Sequence, residues 1–247
     1  MKVSIITVSY NSKNTIERTI LSVLNQTYNN IEYIVIDGNS IDGSIDIINR
    51  YKTNISKFIS EQDNGIYDAM NKGIKLATGE IICFLNSDDI YMNHNTISEV
   101  VSEFMINNYD IIYGDVIFFK DNINKIVRHY SSKNFNFKML KFGLMPAHQS
   151  IFIKNKIFLK FGNFTIKYKI AGDFDWVVRV FKDNKINYKY IPKVFVKMQL
   201  GGISTNGLKS KFLINYEILQ SLKYHKIYSN YFMISLKYFY KIKGYLV

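Results

Sequence analysis

"IICFLNSDD" (residues 81–89) decides how the chain is organised, because an apolar run leads directly into four polar residues. The apolar residues 81–85 predict a strand buried on both faces, as strands of parallel sheets are. Asp88 and Asp89 follow at its carboxyl end. Adjacent carboxylates repel each other, and each loses hydration when it is buried. Either a ligand compensates this cost, or the two aspartates only cap or turn the chain before the next helix.

Strands alternate with helices through the first half of the chain. Apolar runs predict strands at 3–10, 31–37, 56–62, 80–86, 109–119, 124–130, 148–154 and 189–199. Apolar residues at helical spacing predict helices near 11–27, 42–52, 66–77, 95–107, 155–161 and 173–184. The alternation predicts an α/β fold with a mixed, mainly parallel sheet flanked by helices.

The chain is predicted to form one domain with a C-terminal helical extension. Residues 1–205 form the domain, in two halves at 1–114 and 115–205, for which a family resemblance described below implies nucleotide and acceptor binding, respectively. Residues 206–247 are the extension. Only two prolines occur, Pro146 and Pro192, and neither marks a hinge between domains.

The net charge of +12 is divided unevenly along the chain. Residues 1–114 hold 8 Lys and Arg against 14 Asp and Glu, whereas residues 115–247 hold 24 against 6. The acidic half suits a metal ion, and the basic half either faces an anionic partner or only favours solubility. One cysteine, Cys83, excludes a disulfide framework and is expected to be an inert core residue. With neither a signal peptide nor an apolar run of spanning length, a cytoplasmic location is expected.

Polar side chains cluster at the carboxyl ends of the first four strands, where open parallel sheets bind ligands. Neither G-x-G-x-x-G nor the P-loop pattern is present. Phosphate groups must then be held in another way, and a divalent cation bound by the two aspartates is the obvious one. The aspartates after residue 87 are therefore interpreted as a metal clamp for a diphosphate.

Several motifs in this order resemble family 2 glycosyltransferases of the GT-A fold, the Rossmann-like fold of nucleotide-diphospho-sugar transferases. They are "VSIITVSYN" (3–11), "VIDGNSIDGS" (35–44), "DNGIYDAMNKGIKLATGEIICFLNSDD" (63–89), "HQSIF" (148–152) and "IAGDFDWVVR" (170–179). The likeness covers about residues 1–205 and is nearest to bacterial enzymes of O-antigen, capsule and exopolysaccharide synthesis. It implies a nucleotide-sugar donor, Mg²⁺ or Mn²⁺, and inversion at the anomeric carbon.

The resemblance also implies roles for residues at the donor site. The residues it places around the nucleotide and its phosphates are Thr7, Ser9, Tyr10, Asp37, Gly38, Ser40, Asp68, Lys72 and Asp88. Asp37 matches the aspartate that binds the base. Asp88 and Asp89 match the D-x-D element, written here as S-D-D, and Asp89 is expected to be the more direct metal ligand.

A sugar hydroxyl needs a general base, because it hardly ionises at neutral pH. "AGDFDWVVR" offers Asp173 and Asp175, whose i, i+2 spacing sends their side chains to different faces of a helix. The resemblance assigns the base to Asp173, although Gly172 replaces the usual glutamate, and it leaves Asp175 a supporting role. Trp176 is either an acceptor platform or a buried structural residue, and Arg179 lies on the same helix.

The acceptor side is predicted from two further segments. His148 and Gln149 contact the diphosphate or the acceptor, unless the histidine is structural. "GGIST" (201–205), with Gly202 and Ser204, resembles a loop that closes over the donor.

Two rival functions remain open. A sugar-1-phosphate nucleotidyltransferase shares the fold, but it would need a glycine-rich basic loop after the first strand, where the chain reads "SYNSKNT" (9–15). A single-stranded nucleic-acid binder would use the basic aromatic half, but it leaves the acidic crevice unexplained. No nucleic-acid partner is therefore expected.

The C-terminal "NYFMISLKYFYKIKGYLV" (230–247) mixes aromatic residues with Lys237, Lys241 and Lys243. Such a segment suits an anionic membrane surface, and it predicts a peripheral enzyme on the inner face of the cytoplasmic membrane. The acceptor implied by the resemblance is a saccharide on a polyprenyl diphosphate. Alternatively, the aromatic residues pack as an ordinary helix or form a homodimer.

Overall fold

The computed structural model describes residues 1–201 and 207–243, and one mixed sheet runs through its centre. The strands are β1 (Val3–Ser9), β2 (Ile31–Asp37), β3 (Lys57–Ser60), β4 (Ile81–Phe84), β5 (Ile90–Tyr91), β6 (Ile111–Phe119), β7 (Ile126–Tyr130), β8 (Ile151–Lys154) and β9 (Tyr188–Gln199). The helices are α1 (Ile16–Leu24), α2 (Ser44–Arg50), α3 (Ile66–Leu76), α4 (Thr96–Ile106), α5 (Asn155–Phe161), α6 (Gly172–Phe181), α7 (Gly207–Tyr224), α8 (Tyr231–Ser235) and α9 (Lys237–Lys243).

Four strands form a parallel half of the sheet in the order β3-β2-β1-β4. β1 pairs with β2 from Val3 opposite Ile31 to Ser9 opposite Asp37, and with β4 from Val3 opposite Ile81. Every residue of β1 is buried, as its position between two strands and two layers of helices requires. The predicted α/β arrangement is therefore confirmed.

The other half of the sheet is mixed. β8 is antiparallel to both β4 and β6, and β6 is parallel to β9. β5 and β7 add antiparallel pairs to β9 and β6. The predicted boundary between residues 114 and 115 lies inside β6, so the two predicted halves share one continuous sheet.

Two hydrophobic cores cover the two faces of the sheet. On one face α1, α2 and α4 pack over the sheet, with Ile20 of α1 among the fully buried residues. On the other face α3, α5 and α6 form the layer, with Val177 of α6 at its centre. α3 approaches β1 closely: a Cβ at Gly73 would lie 2.4 Å from the Ile6 side chain, so this contact requires glycine.

The C-terminal helices belong to the second of these cores. Ile218 and Leu222 of α7 and Ile234 of α8 are buried in one cluster with α6. The extension is helical as predicted, but it is part of the domain core. Among the described residues, none of the helices combines the length and apolarity needed to cross a bilayer.

Some elements were not predicted. β5 has two residues, and the 3-10 segments Phe137–Phe142 and His148–Ser150 are short. Elements of this length carry too few residues for a periodic pattern, and tertiary contacts decide them. β5 exists because Ile90 and Tyr91 pair with β9, more than a hundred residues away in sequence.

A buried carboxylate joins the amino ends of the parallel strands. Glu32 is 4% exposed and accepts hydrogen bonds from Ser4 Oγ (2.6 Å) and from Thr78 N (2.7 Å), while Lys2 and Lys57 pair with it. Burial alone would raise the pKa of Glu32, but hydrogen bonds from Ser4, Thr78 and Lys2 outweigh burial and lower the pKa to about 2.

This pKa predicts an acid-sensitive contribution to stability. A carboxylate with a lowered pKa stabilises the fold above its unfolded value, 4.5, and that contribution is lost as the pH falls towards 2. We expect Glu32→Gln to lower the free energy of unfolding by about 2 kcal/mol at neutral pH. It should also flatten the loss of stability below about pH 4.5, measured by urea unfolding at several pH values.

The matched control is Glu80→Gln, because the Glu80 side chain is 62% exposed and lies 3.9 Å from the N-terminal ammonium. Its Oε1 also accepts from Lys2 N (3.1 Å), and the glutamine oxygen can keep that bond. This variant should stay close to the wild type at every pH. If the free energy of unfolding falls as steeply below about pH 4.5 in Glu32→Gln as in the wild type, Glu32 is not the source of the acid sensitivity.

Candidate functional site

The candidate site lies where β1, β2, β3 and β4 end. Ser9, Asp37 and Ser60 lie side by side in register at the ends of β1, β2 and β3. β4 ends at Phe84, and the aspartate pair follows at the same edge. The parallel pairing thus brings together side chains that are far apart in sequence, as predicted.

The loop after β1 is tied to the turn before α2. Asn11 has a left-handed backbone (φ 48°), its N–H donates to Ser40 Oγ (2.8 Å), and its Oδ1 accepts from Ile41 N (3.0 Å). Ser12 N donates to Ser44 Oγ (2.8 Å). These contacts fix two strand-end loops against each other and form one wall of the crevice.

Asp37 organises this wall from inside the protein. It is fully buried, and its oxygens accept from Ser40 N (2.8 Å), Ser40 Oγ (2.6 Å) and Ser60 Oγ (2.9 Å). Its carboxylate is occupied by internal hydrogen bonds, so the expected direct contact with a base is not what this geometry shows. Asp37 and Ser40 shape the turn that contains Gly38.

The floor of the crevice beside this turn is formed by Tyr10, Gly38 and Asp63. Tyr10 is 67% exposed, and a Cβ on Gly38 would lie 2.6 Å from Asp63 Oδ2 and 3.2 Å from the Tyr10 ring. A side chain at position 38 would therefore require the Asp63 carboxylate to move. Sequence reasoning missed Asp63, although the turn "DNG" after β3 had placed it at a strand end.

Two serine and threonine predictions have different outcomes. Thr7 is fully buried, and its hydroxyl accepts from Tyr33 OH (3.2 Å) beneath the sheet, so its placement in the nucleotide pocket was wrong. Ser9 lies at the strand end, and its hydroxyl is 2.7 Å from that of Ser12.

Asp68 and Lys72 lie on the exposed side of α3 near the crevice. Asp68 Oδ2 accepts from Asn64 N (3.0 Å), which holds the turn before α3. Lys72 Nζ lies 2.9 Å from Glu61 Oε1 and 3.8 Å from Asp68 Oδ2. Burial lowers the pKa of Lys72, but the Glu61 hydrogen bond and nearby acids outweigh it and raise the pKa. The lysine therefore remains a cation at this edge.

Asp88 and Asp89 differ in exposure. Asp89 is 1% exposed, its Oδ1 accepts from Gln199 N (3.1 Å), and its Oδ2 is buried without a hydrogen-bond partner among the described residues. Asp88 is half-buried. Burial, followed by repulsion from Asp88, raises the pKa of Asp89 well above its usual range, and burial also raises the pKa of Asp88.

Arg18 of α1 braces this pair and was missed by sequence reasoning. Its guanidinium donates to the Asp88 carbonyl (3.1 Å) and to Gln199 Oε1, and it lies over the Phe119 ring. It connects the end of β4 with the ends of β6 and β9. In sequence, Arg18 is simply one polar residue on an amphipathic helix.

These residues fit a divalent cation. Asp88 and Asp89 supply hard oxygen ligands, and the orphaned Asp89 Oδ2 is an acceptor that a cation or its water would satisfy. Within residues 1–201 and 207–243, the side chains hold no cluster of three or more His, Cys, Asp or Glu suited to a metal. Further ligands would therefore come from phosphate oxygens and water, as is usual for Mg²⁺.

Asp173 lies at the start of α6, in the predicted place. Its Oδ1 accepts from its neighbour Phe174 N (2.8 Å) and lies 2.9 Å from Tyr67 OH of α3. The side chain is half-buried, so part of it is open to solvent. Tyr67, which the sequence analysis did not single out, contacts Asp173 and is a further residue of the site.

Asp175 has an entirely different environment, as the i, i+2 spacing predicted. Its Oδ1 accepts from Ser221 Oγ (2.8 Å) and lies 3.1 Å from His225 Nε2, both on or just beyond α7. Burial would raise the pKa of Asp175, but hydrogen bonds from His225 and Ser221 outweigh burial and lower it. Asp175 therefore holds α6 against α7.

Two predicted acceptor residues are structural. Trp176 is 1% exposed, stacks on Phe158 at 4.8 Å and donates to Gly162 O (2.9 Å), so it cannot be a sugar platform. Arg179 donates to Phe161 O (2.7 Å) and to another carbonyl of the same loop. Both residues fasten the loop after α5 to α6. Trp176 is thus the buried structural residue that the sequence analysis gave as its alternative, and the contacts of Arg179 give no support to an acceptor role.

His148 and Gln149 lie beneath the crevice and are 5% and 8% exposed. The His148 ring stacks on Phe84, the last residue of β4, at 5.0 Å, and in the described part of the chain its Nε2 is buried without a partner. Burial lowers the pKa of His148. Gly202 and Ser204 of the predicted donor loop lie outside the described residues.

The crevice combines an exposed tyrosine, a glycine and acidic residues at the edge where open α/β sheets bind ligands. The Glycosyl transferase family 2 model matches residues 4–172. The chain therefore belongs to this family and is a glycosyltransferase, which confirms the resemblance at family level.

Curated relatives agree with the family. A "PGL/p-HBAD biosynthesis glycosyltransferase" of Mycobacterium tuberculosis is 30% identical over 199 residues, covering 78% of this chain and 75% of the relative. A glycosyltransferase of Haemophilus influenzae is 31% identical over 216 residues and covers 84% of both chains.

Solved structures share the fold. S. aureus TarS 1–349 in complex with UDP-GlcNAc superposes with a TM-score of 0.70 at 16% identity, over 90% of this chain and 66% of that one. The chain covers 40% of a longer TarS structure. The mannosyltransferase PcManGT from Pyrobaculum calidifontis, in complex with GDP-Man and Mn²⁺, has a TM-score of 0.62 at 16% identity, over 89% and 64%. The predicted GT-A fold is confirmed.

Proposed function

We propose that this chain is an inverting glycosyltransferase that moves a sugar from a UDP-sugar to a lipid-linked saccharide in surface polysaccharide synthesis. The observation that carries the proposal is the meeting of three features at one sheet edge. They are the floor made by Tyr10, Gly38 and Asp63, the aspartate pair after β4, and Asp173 at the start of α6.

The floor suits a nucleoside. The exposed Tyr10 ring offers a stacking face for a flat base, and the Asp63 carboxylate beside Gly38 can accept hydrogen bonds from base or ribose donors. The TarS structures, which share the fold, were solved with UDP and with UDP-GlcNAc. These observations support uridine, and Lys72 at the same edge adds a cation for the diphosphate.

Asp88 is the better candidate for direct contact with Mg²⁺ or Mn²⁺, which reverses the order expected from sequence. Asp89 is almost fully buried and holds Gln199 N, so it supports the loop from below, whereas Asp88 retains access to the crevice. A bound cation would offset the charge that develops on the departing diphosphate. The Mn²⁺ complex of PcManGT supports metal use.

We predict that UDP raises the melting temperature of the wild-type protein in Mn²⁺ and much less in EDTA, because a ligand stabilises the state that binds it. Asp88→Asn should remove the Mn²⁺-dependent part of this shift and leave the melting temperature without ligand nearly unchanged. Differential scanning fluorimetry measures both quantities.

Asp89→Asn is the companion variant. The asparagine amide can keep its oxygen towards Gln199 N, so this variant should retain part of the Mn²⁺-dependent shift in melting temperature. It is compared with the wild type at equal protein concentration. A full shift in Asp88→Asn and none in Asp89→Asn would restore the order expected from sequence.

Asp173 is the proposed general base. The acceptor hydroxyl attacks the anomeric carbon, its proton passes to the Asp173 carboxylate, and the bond from the anomeric carbon to the phosphate oxygen breaks. The electron pair leaves with UDP, so no covalent enzyme intermediate forms. Attack from the face opposite to UDP inverts the anomeric configuration.

We predict that Asp173→Asn lowers kcat at least about a hundredfold, the scale of general-base catalysis, with unchanged UDP affinity. UDP release in a screen of UDP-hexoses and UDP-N-acetylhexosamines, beginning with UDP-GlcNAc, measures the turnover. An α-linked donor should give a β-glycoside by NMR.

Asp175→Asn is the control, because Asp175 contacts α7 and lies away from Asp173's partners. It should lower the melting temperature and retain kcat at a temperature where it is folded. An active Asp173→Asn, or an α-glycoside from an α-linked donor, would contradict the mechanism.

A lipid-linked acceptor is supported by the surface of the C-terminal helices. Tyr228, Tyr231, Phe232 and Phe239 are 80%, 56%, 73% and 66% exposed, which is unusual for aromatic residues on one short segment. Lys237 is 2% exposed and was wrongly expected to face headgroups. Exposed lysines of α7, 209, 211 and 223, supply positive charge instead, each worth about 1 kcal/mol near an anionic surface.

We predict that the full chain sediments with phosphatidylglycerol vesicles at low salt and that Tyr231→Ser/Phe232→Ser reduces this severalfold. The double variant loses interfacial aromatic area without touching the core. Leu159→Ser, which removes an apolar side chain that is 83% exposed on α5, is the control and should still bind.

Failure of the wild-type protein to bind these vesicles would contradict the membrane proposal. A concentration-dependent dimer that the double variant abolishes would assign the aromatic surface to self-association instead. Membrane binding would place the enzyme on the inner face of the cytoplasmic membrane, where nucleotide sugars and a polyprenyl-diphosphate acceptor meet.

A further inference from the structure

A buried glutamate of α7 binds three consecutive backbone amides. Glu217 is 5% exposed, and its carboxylate accepts from the N–H groups of Lys169 (2.8 Å), Ile170 (2.9 Å) and Ala171 (2.9 Å). It is the only acidic residue between positions 207 and 247. A carboxylate at this depth needs such compensation, because each hydrogen bond to a charged group offsets part of its lost hydration.

The three amides lead directly into the proposed base. Ala171 is the residue before α6, and Asp173 is the second residue of that helix. The first amides of a helix lack intrahelical acceptors, and negative charge is favoured at that end. Glu217 therefore fixes the position and direction in which α6 begins.

α3 holds the same segment from the opposite side. Tyr67 OH lies 2.6 Å from Ile170 O and 2.9 Å from Asp173 Oδ1. A Cβ on Gly172 would lie 2.7 Å from the Tyr67 ring, so the segment lies directly against the ring face. This close packing gives a reason for glycine at 172, where the family pattern has glutamate.

We propose that Glu217 is a positioning residue for Asp173: it holds the segment 169–171 against Tyr67 so that the base carboxylate faces the acceptor hydroxyl. α7 is accordingly part of the catalytic machinery as well as of the core. This proposal rests on the proposed function, in which Asp173 removes the acceptor proton.

The same helix provides a matched control. Ser221, one turn after Glu217, donates to Asp175 Oδ1 and is fully buried. It fastens α7 to α6 through a carboxylate that takes no part in the proposed proton transfer. Ser221→Ala thus removes an equally buried polar contact between the same two helices without touching the amides of 169–171.

The test compares Glu217→Gln, Ser221→Ala and Asp173→Asn in the full chain with Mn²⁺. Glutamine matches glutamate in shape, but its NH₂ group must face one of the backbone N–H donors, so the segment can no longer be held by both side-chain atoms. UDP release from the donor identified in the screen gives kcat and KM, and hydrogen exchange reports the amides of Lys169, Ile170 and Ala171. Each protein is assayed about 20 °C below its own melting temperature.

We expect Glu217→Gln to lower kcat by about ten- to a hundredfold, the cost of a misplaced reacting group. The donor KM and the increase in melting temperature caused by UDP should stay within about twofold of the wild type. Exchange of the three amides should accelerate. Ser221→Ala should lose a similar number of degrees in melting temperature and keep kcat within about threefold. In Glu217→Gln/Asp173→Asn the losses should not multiply, because both act on one proton transfer.

A folded Glu217→Gln with wild-type kcat would overturn the proposal. A loss of kcat in Ser221→Ala equal to that in Glu217→Gln would also overturn it, because Glu217 would then be only a stabilising contact. If Glu217→Gln does not fold, Glu217→Asp takes its place with the same expectations. An active Asp173→Asn would refute the base assignment itself, whereas an inactive Asp173→Asn beside a fully active Glu217→Gln would refute only the role of Glu217.

Discussion

Parallel pairing of β1 with both β2 and β4 is the constraint on which the rest of the structure depends. Three strands that run in one direction must end at one edge, so the polar residues after each of them are forced together. The crevice is thus a consequence of strand direction.

Concentrating carboxylates at one edge has an energetic cost, and burial divides them into two groups. Asp37 is fully buried and satisfied by Ser40 and Ser60, and Asp89 holds the backbone of Gln199. Both side chains fix loops, but Asp89 Oδ2 remains an acceptor that a cation or its water would satisfy. Asp63 and Asp88 keep partial access to solvent, so they can meet a ligand directly. Asp37, whose oxygens are both committed to internal donors, gains little by binding anything else.

Sequence reasoning predicted the fold and the sheet edge at which polar residues gather, because both follow from apolar runs and from what interrupts them. The different directions of Asp173 and Asp175 also followed from helical geometry. The burial of Thr7 and Trp176 could not be predicted in this way, since a residue of a strand or helix can face either the core or the ligand. Thr7 alternates with Ile6 and Val8 and so lies on the face that packs on Tyr33, which pattern alone could not assign. Asp63 was missed because its role depends on how closely a loop approaches Gly38.

The C-terminal helices show why a composition-based division of the chain misleads. Their many lysines and aromatic residues indicated an appended surface segment. The residues that attach these helices to the domain, however, include aliphatic and acidic side chains. Ile218 and Leu222 enter the core, and Glu217, one acid among many bases, reaches the amides before α6. The C-terminal helices therefore bury one side in the core and expose aromatic residues on the other, which connects a surface to the site beneath it. If that surface rests on a membrane, the helices that position the base also set its distance from the lipid-linked acceptor.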